Sequence, residues 1–447
     1  GKKNGGIDNI IMPRFRRTYI TMLEAYSWAP STFDGMVPDL NVWRTGQSGF
    51  RESKEDWRYL IQRAHENGMA IVEYIAATSY GPMGTEFVRK HPEWMTYTAN
   101  GRLDAWFDVD KLAALQENPD ANVGDAAGFS AGNFLEKNEK LLGDWWIDQV
   151  LKSKEMFDWD GFRSDGNPSI VGGYDSAGKL HEVKDADDIN ARFVKKVRAI
   201  VTKRYPEYFF GWNWQIYTPE GQLMNQQQTD AVIPASYMLW ESFNGAPRPG
   251  SVLHNWKRMA HDLQRETGYI RERGGFPHCG WMPSNRYLEA VVTACGSQTD
   301  SWAQPNSEQG YANYRRFQFR WSEFLWDNAL RYAQPGADLV TVTAPAPVWW
   351  QDFVHTRDLP GGGKRVVVHL LNMPEKDDEG WADRPPAPAE NVRVAVKVPA
   401  GMTIKKALAI SPDVDGDVMT ATVGADNTLT LPEVKLWTVV VVDLGAK

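Results

Sequence analysis

Cysteine is almost missing from this chain of 447 residues: there are two, Cys279 and Cys295. So few exclude a disulfide framework, and without CxxC or HExxH spacing around them they do not make a zinc site. The two can pair or remain thiols. Long apolar runs are missing too, with nothing approaching the roughly 18 residues that a membrane-spanning helix needs. Basic residues are the minority charge, 49 Lys and Arg against 57 Asp and Glu, for a formal net charge of −8. That balance lacks the clustered cations that neutralise phosphates, so nucleic acid and membrane are both set aside as partners. No GxGxxG or GxxxxGK[ST] follows a strand-like run, which removes the common nucleotide sites. No signal peptide is visible in the opening "GKKNGG", and no repeat of solenoid period occurs.

What is abundant is tryptophan, 20 residues, within 12% aromatics. Its large flat ring stacks well on the apolar face of a sugar at low entropic cost. Any single Trp also reads as core filler, but the total points toward carbohydrate.

Residues 1–334 alternate strand-like and helix-like segments, the grammar of an α/β fold. "TYITMLEAYSW" (18–28) reads as a first strand. "SKEDWRYLIQRAHENG" follows as a helix with Ser53 as N-cap, Asp56 completing a capping box and Gly68 as a stop. "MAIVEYIAA" (69–77) reads as a buried strand, the polar, glycine-rich stretch 97–132 holds at most one short strand, near 123–131, and "NFLEKNEKLLGDWWIDQVLKSKEMF" (133–157) reads as one helix. Strands in "WDGFRSDG", "EYFFGWNW" and "DAVIPASYMLWESF" come next, then possible ones in "GGFPHCGW" and "GSQTDSW", with helices between and a closing helix over 314–333. About eight such units predict a (β/α)8 TIM barrel, with a doubly wound open sheet as the alternative. After residue 334 the chain changes to short, alternating, β-branched runs divided by Gly, Pro and Asp. Residues 335–447 therefore read as a C-terminal antiparallel β-sandwich, with "PEKDDEGWADRPPAPAEN" as a charged loop. "SPDVDGDVMT", with Asp413, Asp415 and Asp417, lacks the distal Glu of a calcium loop and reads as a hairpin turn.

A barrel builds its active site where the strands end, so polar residues that terminate apolar runs are the candidates. They are Glu73, Tyr74, Arg163, Asp165, Asn213, Glu241, His278 and Asp300. Paired carboxylates without metal-ligand spacing point to glycosidic chemistry. Asp165 shares a face with Arg163 two residues earlier, and a guanidinium there would keep it ionised, as a nucleophile requires. Glu241, flanked by Trp240 and Phe243, would have its pKa raised, as a general acid requires. Each has a plainer reading, as a strand-end ion pair or a cap, and Asp160 reads as a cap on the turn before its strand. Trp28, Trp43, Trp212, Trp214, Trp240, Trp281 and Trp302 are expected to stack on sugar rings. No cofactor or metal is expected.

By ordered pattern over residues 18–447 the chain resembles glycoside hydrolase family 66, the dextranases and cycloisomaltooligosaccharide glucanotransferases. "YLIQRAHENGMAIVEYIAATSYGP" and "HPEWMTY" are similar to successive segments of that family, "WDGFRSDG" to its nucleophile strand, "SYMLWESF" to its acid-bearing strand and "KRVVVHLLN" to the start of its sandwich. The resemblance implies Asp165 as nucleophile after strand four and Glu241 as acid/base after strand six. The α-amylase family places its acid after strand five, which here ends in "GWNW" without a carboxylate, whereas the α-galactosidases and α-glucosidases share the four-and-six arrangement. Fewer than about twenty residues precede the first strand, where the family carries an immunoglobulin-like domain, and Gly-Asn-Pro after Asp165 also differs. The expectation is a retaining, endo-acting hydrolase of an α-1,6-linked glucan, with oligo- or polysaccharide as its partner. Transglycosylation and a catalytically silent sugar-binding barrel are the alternatives. An extracellular or periplasmic place, with a leader already removed, completes the expectation.

Overall fold

A computed structural model describes residues 5–26, 28–30, 37–45, 50–76, 91–94, 96–101, 133–135, 139–165, 169–171, 173–182, 186–214, 237–240, 255–279, 285–299, 308–333 and 335–447. The chain divides into two compact units, Gly1–Trp214 with Met224–Leu239, and Gln215–Leu223 with Trp240–Lys447.

In the first unit, strands β1 (Met22–Ala25), β2 (Ala70–Ala76), β3 (Gly161–Asp165), β4 (Phe209–Trp214) and β5 (Tyr237–Trp240) lie side by side in chain order. The pairs β1–β2, β2–β3 and β3–β4 are parallel. Parallel neighbours need long crossovers, and helices α1 (Lys54–Glu66), α2 (Glu139–Phe157) and α3 (Ala186–Arg204) supply them. The start of α1 follows the local chemistry: Ser53 Oγ accepts from Asp56 N at 3.1 Å, and Gly68 takes the left-handed φ of 70° just past the end. Burial of Ile71, Val72, Glu73, Tyr74 and Ile75 leaves neither face of β2 in water, as a parallel strand covered on both sides requires. On the face toward the helices, Phe162 stacks on Phe210 at 5.3 Å and meets the edge of Trp146 at 5.3 Å. Gly161 begins β3 because a Cβ there would lie 2.1 Å from the Phe209 carbonyl oxygen.

Two expectations change in this unit. Residues 7–17 are helical, and Thr18 Oγ1 donates to the Arg14 carbonyl at 3.0 Å to close that helix, so β1 begins at Met22 rather than Thr18. Asn133–Leu135, expected as the start of α2, instead pairs as a strand with Ser169–Val171 in a separate small sheet. Strand pairing there overrides a weak helical preference. The strand expected at 123–131 lies outside the described residues.

The second unit has a parallel pair, β6 (Pro277–Cys279) with β7 (Gln298–Thr299), and helices α4 (Trp256–Glu272), α5 (Arg286–Ala294) and α6 (Glu308–Arg320). Its sheets use β8 (Arg331–Tyr332), β9 (Val340–Thr343), β10 (Val354–Leu359), β11 (Gly363–Leu371), β12 (Ala389–Val396), β13 (Met402–Ile410), β14 (Val418–Met419), β15 (Thr422–Val423), β16 (Thr428–Val434) and β17 (Trp437–Ala446). One sheet has the order β8-β10-β11-β17-β13-β14 and the other β9-β12-β16-β15, with antiparallel neighbours. Val366, Val368, Leu370, Val440 and Val442 of the first share one core with Val392, Val394, Leu429 and Leu431 of the second. This is the antiparallel layer structure that the alternating runs predict.

The closing helix expected over 314–333 breaks after Arg320, resumes for one turn at Ser322–Leu325, and gives way to an edge strand where Arg331 and Tyr332 pair with Thr356 and His355. The charged loop contains one helical turn, Asp377–Trp381, whose Trp381 stacks on Trp256 with centroids 4.0 Å apart. That stacking on the buried Trp256 anchors the turn despite the polar composition around it. "SPDVDGDVMT" is a hairpin turn between β13 and β14. Within it Asp413 accepts from the backbone N–H groups of Leu436 and Trp437, and buried Asp417 pairs with Arg316 at 2.7 Å. Among the described residues, no helix is long and apolar enough to cross a membrane.

Candidate functional site

The register of the first unit aligns the strand ends row by row. Glu24, Val72, Gly161 and Phe209 form one row, and Tyr74, Arg163 and Gly211 the next. Asp165, the last residue of β3, pairs in register with Ala76. Because strand side chains alternate, Asp165 falls on the same sheet face as Arg163, one row nearer the carboxyl end. The expected contact between Arg163 and the Asp165 carboxylate lies outside the described side chains.

Arg163 is 1% exposed. A guanidinium that deeply placed needs compensating charge. It lies over the Tyr74 ring, 5.2 Å from its centroid, and its Nη1 is 3.7 Å from Glu24 Oε1. The side chain thus reaches from β3 across β2 to β1. Sequence reading missed Glu24; "MLEAY" carried the signal, since Glu24 is the one acid in an otherwise apolar strand and the next aromatic on its face is Tyr26.

Glu73, expected to touch substrate, instead sits in the core on the opposite face of β2, with no exposed surface. Its carboxyl accepts from Ser153 Oγ at 2.5 Å and from the Tyr208 hydroxyl at 3.0 Å. Ser153 Oγ in turn accepts from Trp159 Nε1 at 3.0 Å. Burial raises the Glu73 pKa to about 8, against the lowering effect of the two hydroxyl donors and Lys154. Alternation explains the miss: Tyr74, its neighbour in sequence, faces the other way, beneath Arg163.

Trp28, Trp43 and Trp212 do not offer stacking faces either, being 0%, 5% and 0% exposed. Trp28 donates from Nε1 to the Tyr74 carbonyl at 3.1 Å and packs against Phe157 and Trp159, while Trp43 Nε1 donates to the Trp28 carbonyl at 2.8 Å. Trp212 packs at 6.1 Å from Trp146. Apolar burial claims these rings before a ligand can. Asp160, expected to cap the turn before its strand, instead reaches neighbouring elements: Oδ2 accepts from Ile71 N at 2.7 Å and lies 2.9 Å from His65 Nε2, tying the start of β3 to β2 and α1.

Asn213, Trp214, Trp240 and His278 occupy β4, β4, β5 and β6 respectively; their side chains lie outside the description. Glu241, Trp281, Asp300 and Trp302 lie outside the described residues altogether. Cys295 is buried, with Sγ 3.6 Å from the Ala260 carbonyl. Among the described residues no group of three or more His, Cys, Asp or Glu is arranged to hold a metal ion. What the described geometry offers chemically is the Glu24 carboxylate at the end of β1, beside a buried guanidinium and two tyrosines.

No protein-family model matches the chain, and no curated protein does. Solved structures do. The chain is similar to a cycloisomaltooligosaccharide glucanotransferase from Paenibacillus sp., complexed with cycloisomaltoheptaose, with a TM-score of 0.69 at 12% identity over 96% of this chain and 83% of that one. It is similar to a maltogenic α-amylase from Thermotoga neapolitana, with a TM-score of 0.51 at 11% identity over 99% and 93% of the two chains. An α-galactosidase from Lactobacillus brevis matches with a TM-score of 0.50 at 11% identity, over 98% of this chain and 52% of that one. At such identities the likeness establishes the fold, one held in common with glycoside hydrolases and glucanotransferases.

Proposed function

We propose that the protein is a retaining glycoside hydrolase of an α-linked glucan, endo-acting on α-1,6 linkages, in the manner of family 66. Asp165 attacks the anomeric carbon to form a covalent glycosyl-enzyme, and Glu241 first protonates the leaving oxygen and then deprotonates the incoming water. The observation that carries this reading is the position of Asp165, last on a parallel strand and on the face of the buried Arg163, within a fold similar to that of a glucanotransferase. A cation nearby favours the ionised carboxylate. The isomalto-oligosaccharide ligand of that glucanotransferase supports the choice of linkage. In this reading β1–β5 and β6–β7 are strands of one (β/α)8 barrel within residues 1–334, the sandwich of residues 335–447 follows it, and Asn213, Trp214, Trp240, His278, Trp281, Asp300 and Trp302 line the substrate cleft. The place of action is extracellular or periplasmic.

Asp165→Asn is expected to lower turnover by about a thousandfold or more, since it removes the nucleophile, while thermal melting stays close to that of the parent. Reducing-end release from dextran measures it. Unchanged hydrolysis by the variant sinks the assignment. The glucanotransferase neighbour also favours a second reading, in which a sugar hydroxyl rather than water resolves the glycosyl-enzyme. Chromatographic sizing separates the two: hydrolysis yields only shorter chains, transfer yields longer or cyclic ones.

A further inference from the structure

At the end of β1, Glu24 and Tyr26 break the burial seen across the neighbouring strands. Ala25 between them is 4% exposed, whereas Tyr26 is 45% exposed and the Glu24 side chain 28%. One face of β1 is therefore open to water at the strand ends, and it is the face that Tyr74, Arg163 and, by register, Asp165 share. The pair is also held in place. The Tyr26 ring meets Tyr74 edge-on with centroids 4.7 Å apart, Tyr74 lies beneath the Arg163 guanidinium, and that guanidinium returns to Glu24 at 3.7 Å.

We propose that Glu24 and Tyr26 form a glycosyl-binding subsite, in which the open face of Tyr26 takes the apolar face of a hexopyranose ring and the Glu24 carboxylate accepts hydrogen bonds from its hydroxyls. The inference rests on the glycosidase reading above and adds residues to it. An aromatic ring already fixed by an edge contact has little freedom left to lose when a sugar stacks on it. A carboxylate offers acceptor lone pairs, which suits hydroxyl donors. Trp28, Trp43 and Trp212 are closed to ligand by burial, whereas Tyr26 at the end of β1 is exposed.

Isomaltohexaose and maltohexaose serve as probes, with KM and kcat measured on the active protein and Kd by calorimetry in an Asp165→Asn background. Tyr26→Ala is expected to raise KM and Kd about tenfold while kcat stays within about threefold, the loss of one stacked ring. Tyr26→Phe retains the parent values, and Glu24→Gln weakens Kd, which a Glu24 serving only as counter-ion to Arg163 would leave unaltered. If Tyr26→Ala melts at a lower temperature, Tyr26→Leu repeats the comparison with Tyr74 still covered but the flat ring gone. Parent-like KM and Kd in the Tyr26 variants overturn the subsite while the glycosidase reading stands. A parent protein that neither binds nor cleaves either probe overturns both.

Discussion

Glu73 shows how far one buried carboxyl can shape the response to pH. Its folded pKa of about 8 lies above the ordinary 4.5, so between those values the folded state holds a proton that the unfolded chain has released. Its contribution is complete below pH 4.5 and is lost as pH rises through 8, at about 1.4 kcal/mol per pH unit. Glu73→Gln keeps a neutral partner for Ser153 and Tyr208 and removes the proton. The variant is therefore expected to match the parent near pH 4 and to exceed it in stability at pH 8, as urea midpoints at the two values would show. A variant less stable at pH 8 would mean that the carboxylate is ionised in place, held by its donors. Sequence showed an acid in an apolar strand but not its direction, because a one-residue change of register sends every side chain to the opposite face.

Among the described elements, β3 is tightly constrained at its start. Its first residue must be glycine, since a Cβ at Gly161 would lie 2.1 Å from the Phe209 carbonyl oxygen, and backbone cannot yield as a side chain can. Gly161→Ala is expected to cost roughly 2 kcal/mol or more by overpacking, seen as a lowered denaturant midpoint, and to depress activity by displacing β3 from β4. A parent-like midpoint would show that the two strands separate freely. The existence of β2, β3, α1 and the C-terminal strands was legible because their apolar periods and caps are strong and local. The strands at Asn133–Leu135 and Arg331–Tyr332 were not, since each depends on pairing with residues distant in sequence.

For the molecule as a whole, the two units should answer pH in opposite directions. In the second unit, burial lowers the His355 pKa to about 4 and drives that of His369 well below its usual value. His355 Nε2 lies 2.8 Å from the Ala294 carbonyl, its ring packs on Tyr332 and His369, and Arg271 adds like charge. Histidines buried neutral stabilise fully above about pH 6.5, and that contribution is lost as pH falls toward 4. The second unit is therefore expected to lose hydrogen-exchange protection first on acidification, and the first unit, through Glu73, on alkalinisation. Mass-resolved exchange at pH 5 and pH 8 reads this segment by segment, and equal responses in both units would count against it.

The sequence by itself determined the α/β alternation, the antiparallel C-terminal sheets, the cap on α1, the turn at Asp413–Asp417 and the strand that ends at Asp165, because period, capping and turn chemistry act over a few residues. Only the tertiary structure decided which polar and aromatic side chains face water. It withdrew Glu73, Trp28, Trp43 and Trp212 into the core and brought Arg163 across β2 to Glu24. Burial is a property of the neighbours that other segments bring, and strand alternation converts that single choice of face into the difference between a core residue and a ligand-facing one.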